Sequence, residues 1–359
     1  MSRAKVLARA AKLRVTFEDA GAIPVQTPVL QPADTLLDLY GEEIRARAYV
    51  TSDALRGEQM LRPDFTVPVV QMHMAEGAEP ARYTYAGEVF RRQEQDPSRP
   101  NEYQQVGYEI FDRSNPAAAD AEVFALFAKI VAPLGLRAAT GDIGILMAAV
   151  DGLRTTSARK AALFRHIWRP RRFRALIDRY AGRVPLSAKR AALLADAPMD
   201  VDAPVIGRRG RSEIEQRLVL LRQDANAAPL SGAEVDLLDA LLSVKETMPY
   251  ALQNLRDLAL DLPRIASAVD RLAARADALD AQGVDIDALA FEASYGRTSM
   301  EYYDGFVFGF YRSDRPDLPP IATGGRYDAL TRRLGNGTEI PAVGGVLRPD
   351  LMLVLEGAA

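Results

Sequence analysis

Cysteine is absent from the 359 residues, and histidine is nearly so, with only His73 and His166 present. Without thiols there are no disulfides, thiolate metal sites or cysteine nucleophile. Two histidines are too few for a histidine-rich metal site and make a Ser-His-Asp triad a poor fit, so each is read as an ordinary, partly buried side chain. No apolar run approaches the roughly 20 residues that span a bilayer, so no membrane role is expected. The start, Met1-Ser2-Arg3-Ala4-Lys5, is basic but leads into no apolar h-region, and the expected compartment is the cytoplasm. Charge is almost balanced, 45 Lys+Arg against 48 Asp+Glu, and 48% of residues are apolar, as in soluble globular proteins. A chain of this length exceeds the roughly 250–300 residues at which one core stops growing, so more than one unit is expected. No G-x-G-x-x-G after a strand, no Walker A and no H-E-x-x-H occurs, and no cofactor or metal is expected.

What is present divides into three stretches. Val6, Ala10, Leu13, Phe17 and Ala20 recur at helical spacing before Gly21, which predicts an opening amphipathic helix. Three prolines in Ile23–Pro32 then suit an edge strand or extended segment. From Tyr83 to Phe111 apolar residues alternate on both sides of a polar, Pro-containing loop, which predicts a hairpin with a long tip. After Leu153 the composition turns to Ala, Leu and Arg. Ser231-Gly232-Ala233-Glu234 has the form of a capping box, and Ile265, Val269, Leu272, Ala276 and Leu279 make a clean helical stripe ending at Gly283. Strand character returns at Ala288–Phe291, Tyr302–Tyr311 and Ile321–Thr323. The expected division is a sheet core over 1–150, a helical insertion over 151–283 and the second part of the core over 284–359. Residues 151–190 hold twelve Lys/Arg against two Asp, a local +10 that suits a solvated face or a protein contact better than nucleic acid.

Polar residues inside strands are the chemical signal. Gln105, Gly107 and Glu109 fall on one face of the second hairpin arm, because side chains alternate with period two, and Gly107 is read as leaving open space between the amide and the carboxylate. Tyr303, Gly305, Val307, Gly309 and Tyr311 share a face in the same way, with two glycines as a shallow floor. Arg62-Pro63-Asp64-Phe65-Thr66, if extended, would point a carboxylate and a hydroxyl in one direction, and Arg91 ends the first hairpin arm. Asp64, Thr66 and Gln105 can accept from an ammonium while Arg91 forks onto a carboxylate, a set that suits a zwitterion. Hydrogen bonds to charged groups contribute about 1.5–3 kcal/mol each, so three or four hold a small amino acid at micromolar affinity.

Leu61–Thr66, Phe90-Arg91-Arg92-Gln93, Gln105–Glu109, Met300-Glu301-Tyr302-Tyr303, Gly324-Gly325-Arg326-Tyr327-Asp328 and Pro341–Gly344 together resemble, in order, the catalytic core of the histidyl-tRNA synthetase family. The likeness covers residues 5–112 and 285–355, and Pro28 sits where the family's motif 1 carries its proline. It implies an α+β class II synthetase fold, an antiparallel sheet flanked by helices, that self-associates through the motif 1 region. By that likeness Asp64, Thr66 and Gln105 hold a histidine ammonium, Arg91 its carboxylate, and Glu109 and Tyr303 its imidazole, with Tyr302 beside them.

Departures from the family pattern set the functional expectation. Thr298 stands where activating members place an essential Arg, and Arg297 is one residue out of register with it. Gln93 replaces a Glu, Arg348-Pro349-Asp350-Leu351 replaces Gly-Leu-Glu-Arg, and the sequence to Ala359 leaves no room for an anticodon-binding domain. A synthetase-like chain that keeps an amino-acid pocket without activation resembles the regulatory subunits of ATP phosphoribosyltransferase. That resemblance implies a non-catalytic, histidine-sensing chain in histidine biosynthesis, with L-histidine as effector and the short-form catalytic subunit as partner in a hetero-oligomer. The alternative is a reduced histidyl-tRNA synthetase-like activating enzyme or ligase.

Overall fold

The computed structural model describes residues 2–40, 44–93, 99–195, 207, 210–297 and 302–357. Its centre is the hairpin that alternation predicts. Strands β5 (Ala81–Phe90) and β6 (Glu102–Phe111) pair antiparallel along ten residues each, with Tyr83 opposite Glu109, Tyr85 opposite Gly107 and Gly87 opposite Gln105. The remaining strands are β1 (Ile23–Pro24), β2 (Leu30–Pro32), β3 (Val50–Asp53), β4 (Gly57–Leu61), β7 (Arg137–Asp142), β8 (Lys245–Thr247), β9 (Ala290–Glu292), β10 (Phe306–Tyr311), β11 (Ala322–Arg326) and β12 (Ala342–Leu347). Nine of them form one sheet in the order β1-β5-β6-β12-β11-β10-β7-β9-β8, and β2-β4-β3 form a small second sheet. The large sheet is antiparallel through its middle and parallel at β1/β5 and β7/β9, which makes it mixed.

Helices cover the sheet through aromatic contacts. The opening helix runs Arg3–Asp19, buries Ala10, Leu13 and Phe17, and ends before Gly21, whose φ of 90° suits glycine. Phe17 stacks on Tyr108 of β6 and on Phe127 at centroid distances of 5.2 and 5.4 Å. Phe127 belongs to the helix Pro116–Val131, which starts as its sequence requires, with the Asn115 side chain accepting from the Ala118 N–H at 3.1 Å and Pro116 in the first turn. The prolines of Ile23–Pro32 lie at edges: β1 borders the large sheet and β2 the small one. The capping box also forms: the Glu234 N–H donates to Ser231 Oγ and the Ser231 N–H to Glu234 Oε2, opening the helix Gly232–Ser243.

Four expectations change. Thr66 is not extended; the chain turns at Asp64, which accepts from the Val67 N–H at 3.3 Å, and Thr66 opens the helix Thr66–Glu76. Tyr302 and Tyr303 precede β10, which begins only at Phe306 because Asp304 is turned to accept from the backbone of residues 328 and 329. Residues from 245 onward belong with the sheet rather than with a separate helical block, since β8 joins its edge and the helix Ala266–Ala281 packs on Pro116–Val131. The +10 stretch is partly answered from within, because Arg159 pairs with Asp224 at 2.6 Å, Arg183 with Asp236 at 3.5 Å, and Arg174 with both Asp178 and Asp239. Arg171 and Arg172 lie on the exposed face of the helix Pro170–Tyr180.

One buried charge network joins these layers. Asp120, from Pro116–Val131, is held by Arg275 at 2.8 Å and by Arg326 of β11 at 2.7 Å. Arg275 also meets Asp142 at the end of β7 at 2.9 Å, and all four side chains are more than nine-tenths buried. Removing one partner from such a set leaves an uncompensated charge, which costs about 3–5 kcal/mol. Arg275→Ala is therefore expected to lower the unfolding free energy by about that amount, read as a fall in the urea midpoint. Arg271→Ala, on the exposed face of the same helix, is expected to stay within about 0.5 kcal/mol of wild type.

Candidate functional site

The register of the central strands opens a cavity of about 310 Å³ lined by Asp64, Thr66, Arg91, Gln105, Tyr302, Tyr303, Tyr311, Pro320, Thr323, Gly345, Val346 and Arg348. Six of the seven residues singled out in the sequence line it: Asp64, Thr66, Arg91, Gln105, Tyr302 and Tyr303. Its size sits at the lower end for small-molecule sites, about 300–1,000 Å³, which suits an amino acid better than a nucleotide. Arg91 is steadied by its Nε–H donating to the Pro63 carbonyl at 2.7 Å. Gln105 is 1% exposed, and its Oε1 has no hydrogen-bond partner among the described residues. An unsatisfied buried acceptor on a cavity wall is where a ligand N–H belongs.

The seventh residue, Glu109, sits one side chain back. It is fully buried, with Thr66 Oγ1–H donating to its Oε1 at 3.0 Å, Tyr85 O–H to the same oxygen at 2.8 Å, and Tyr327 O–H to Oε2 at 2.6 Å. No cation lies within salt-bridge distance of it among the described residues. Burial pushes its carboxyl up to about 7, the three hydroxyls pull it down, and the Asp64 carboxylate adds to the rise. Because the Thr66 proton is committed to Glu109, Thr66 Oγ1 presents lone pairs to the cavity. Asp64, Thr66 and Gln105 are thus three acceptors lining the cavity, which Arg91 lines as a donor.

The glycines act differently from their expected role. A Cβ on Gly107 would lie 2.1 Å from the Tyr85 ring and one on Gly309 2.1 Å from the Tyr295 hydroxyl, so phenols fill both spaces. A Cβ on Gly344 would come within 1.5 Å of Glu109 Oε2. Tyr85, Tyr327, Tyr311, Thr323 and Arg348 were not singled out as site residues. Tyr85 had a readable signal, since a tyrosine paired with a mid-strand glycine fills the missing side chain's place; the others come from register and loops that periodicity does not fix.

The family profile described as histidyl-tRNA synthetase matches residues 2–208 and 213–351. The ATP phosphoribosyltransferase regulatory subunit of Brucella ovis is 31% identical, across 96% of this chain and 96% of its own, and that of Brucella abortus matches to the same extent. The chain belongs to the histidyl-tRNA synthetase-like family of ATP phosphoribosyltransferase regulatory subunits. Solved structures agree on the fold. An ATP phosphoribosyltransferase regulatory subunit/histidyl-tRNA synthetase from Bacillus halodurans superposes with a TM-score of 0.66 at 20% identity, over 98% of this chain and 78% of that one. A histidine–tRNA ligase subunit from Alicyclobacillus acidocaldarius gives 0.59 at 25% identity, over 99% and 93%.

Within this family member a second, more open cavity of about 840 Å³ adjoins the first and shares Arg91 and Arg348 with it. Gln93, Asp350 and Leu351 line it as their sequence positions suggest, yet Arg47, Arg92 and Arg99 line it too, so the loss of an arginine at 351 does not strip it of positive charge. Pro349 breaks no turn; it is the first residue of the helix Pro349–Leu355, where a missing N–H costs nothing. Thr298, Met300 and Glu301 lie outside the described residues. Arg297 is turned away from the cavity: its Nε–H donates to the Ile167 carbonyl at 2.8 Å, its guanidinium lies 4.7 Å over Phe173, and burial lowers it to about 10.

Glu109 makes stability depend on pH. Its carboxyl titrates near 7 when folded against an ordinary 4.5, so the folded chain holds the proton more tightly. The resulting stabilisation is complete below about pH 4.5 and is lost as pH rises through 7, a swing of about 3 kcal/mol. Asp304, also pushed up to about 7 by burial, acts in the same direction. The thermal unfolding midpoint is therefore expected to fall between pH 5 and 8 in the wild type and to fall less in Glu109→Gln; equal slopes would show that Glu109 is not the buried acid.

Proposed function

We propose that the inner cavity binds L-histidine and that its occupancy lowers the activity of a short-form ATP phosphoribosyltransferase catalytic subunit held in a hetero-oligomer with this chain, at the first step of histidine biosynthesis. The observation that carries this is the set of acceptors Asp64, Thr66 and the unsatisfied Gln105 Oε1, with Arg91 as a donor, lining one cavity of amino-acid size. Three acceptors meet the ammonium and Arg91 the carboxylate. Glu109 and Tyr303 serve the imidazole, Glu109 from one side chain behind the cavity through the negative charge it acquires near neutral pH. A cationic or doubly donating ring stabilises that charge and relieves its burial, which favours histidine over an uncharged side chain of similar size.

Regulation then follows from differential affinity. Histidine shifts the assembly only by as much as it binds one form better than the other, typically about 1–3 kcal/mol, and the catalytic subunit changes histidine affinity by the same factor. The name of the Brucella relatives supports a regulatory role and a catalytic partner. With Arg297 packed on Phe173 and Leu351 in the outer cavity, the chain is read as non-catalytic.

Self-association uses the motif 1 region. Ile23 of β1, Val29, Leu30 of β2, Val50 of β3 and Leu55 are all exposed around the two sheet edges, with Leu55 at 93%. A clustered apolar edge of this kind suits a second copy.

Two measurements test the reading. Gln105→Ala and Glu109→Ala are each expected to raise the histidine concentration for half-inhibition of the complex by about tenfold or more; unchanged inhibition would place the effector elsewhere. Histidine-dependent ATP–pyrophosphate exchange is expected to be absent, and measurable exchange would return the chain to the activating enzymes. For the edge, Leu30→Asp with Val50→Asp is expected to shift sedimentation of the isolated chain toward the monomer.

A further inference from the structure

Arg348 is an arginine in an unusual place. It precedes the helix Pro349–Leu355 and reaches the neck where the inner and outer cavities meet. Its Nη1–H donates to the Pro320 carbonyl at 2.5 Å and its guanidinium lies 6.0 Å over Tyr103. Among the described residues no carboxylate lies within salt-bridge distance of it. Arg91 lines the same neck; burial disfavours the charged Arg348, Tyr103 and Asp350 favour it, and the Arg91 and Arg99 charges oppose it, with a net shift downward. Two guanidinium groups facing one small space repel unless an anion bridges them. The inner cavity is also lined by the acceptors Asp64, Thr66 and Gln105, so both the anion and the ammonium of one zwitterion have partners there.

We propose that Arg348 is a second carboxylate-binding residue of the inner cavity: with Arg91 it clamps the α-carboxylate of the bound amino acid and so selects the acid against the corresponding alcohol or amine. This rests on the reading of the inner cavity as an amino-acid site. The clamp accounts for why an arginine with no carboxylate within salt-bridge distance among the described residues lines the neck, and why its steadying contact is a neutral carbonyl that leaves other N–H groups for a ligand. It also places the ligand carboxylate at the boundary between the cavities, where an anion in the outer cavity would compete for the same two cations.

The test titrates L-histidine, L-histidinol and histamine into the full chain, alone and with the short catalytic subunit, for wild type, Arg348→Gln, Arg348→Lys and Gln105→Ala. Arg348→Gln is expected to weaken histidine about 10- to 100-fold and to leave histidinol and histamine within about twofold, the loss of one charge-assisted contact. Arg348→Lys, which keeps the charge without the fork, should fall between. Loss of all three ligands in parallel would mark Arg348 as structural and overturn the proposal, as would unchanged histidine affinity in Arg348→Gln. If inorganic phosphate protects the wild type from unfolding, and Arg348→Gln abolishes that protection without touching histidine affinity, the cation belongs to the outer cavity and the assignment falls. If the wild type binds histidine and Gln105→Ala loses it while Arg348→Gln does not, the amino-acid reading stands and the clamp fails. If the wild type takes up no histidine in either state, both fail.

Discussion

A carboxylate with no cation near it sets the terms for the centre of this fold. Glu109 lies inside the sheet, and among the described residues its charge is met by hydroxyls: Thr66 from the start of one helix, Tyr85 from the adjacent strand, and Tyr327 from the segment after β11. Those three donors come from parts of the chain as far as 218 residues from Glu109, so satisfying one acid fixes the helix Thr66–Glu76, the hairpin and the C-terminal strands against each other. A buried polar group left unpaired costs about 1–3 kcal/mol or more, and the fold answers by convergence rather than by an ion pair. Space is the second half of the same constraint. Gly344 cannot carry a side chain because Glu109 occupies its position, and Gly107 cannot because Tyr85 does. The glycines weaken their strands locally so that polar groups can lie flat across the sheet.

Much of this could be read from residues alone, and the failures share a cause. Alternation fixed the hairpin and put Gln105 and Glu109 on one face, and the capping box at Ser231 was sufficient to start its helix. Asp64 and Thr66 reach the cavity although the segment between them turns into a helix, because the Asp64 carboxylate caps the turn that Thr66 enters. What periodicity cannot give is which element lies over which. The space at Gly107 read as empty because nothing in β6 says that β5 places a tyrosine opposite it. Arg275 sat in the middle of an apolar stripe and drew no notice, yet it is the residue that joins that helix to Asp120 and Asp142. The excess positive charge after Leu153 was visible, while the aspartates that answer it lie further along the chain, at 224, 236 and 239.

The Asp120 network gives the chain a route from its helical side to its pocket. Arg326 holds Asp120 at one end and Asp328 at the other, and the backbone at Asp328 donates to Asp304, the residue directly after Tyr303. Arg275 ties the same aspartate to the helix Ala266–Ala281. A displacement of that helix therefore cannot leave the cavity wall untouched, since interiors packed at crystal-like density transmit shifts rather than absorb them. A change at the face of those helices thus has a buried, charge-linked path to the inner cavity.

The two cavities extend this logic to ligands. They share Arg91 and Arg348, so anions in the two cavities would draw on the same two cations. An amino-acid carboxylate drawn between them removes positive charge from the outer cavity, whose remaining arginines, Arg47, Arg92 and Arg99, face it with Asp317 and Asp350. An anion settled in the outer cavity would in turn loosen the hold on the carboxylate. Competition for shared cations at a neck is a simple physical form of negative coupling. It needs no movement of the sheet, and its strength is bounded by the charge-assisted bonds exchanged, about 1.5–3 kcal/mol for each. The neck is where such an exchange would take place, because Arg91 and Arg348 line both cavities.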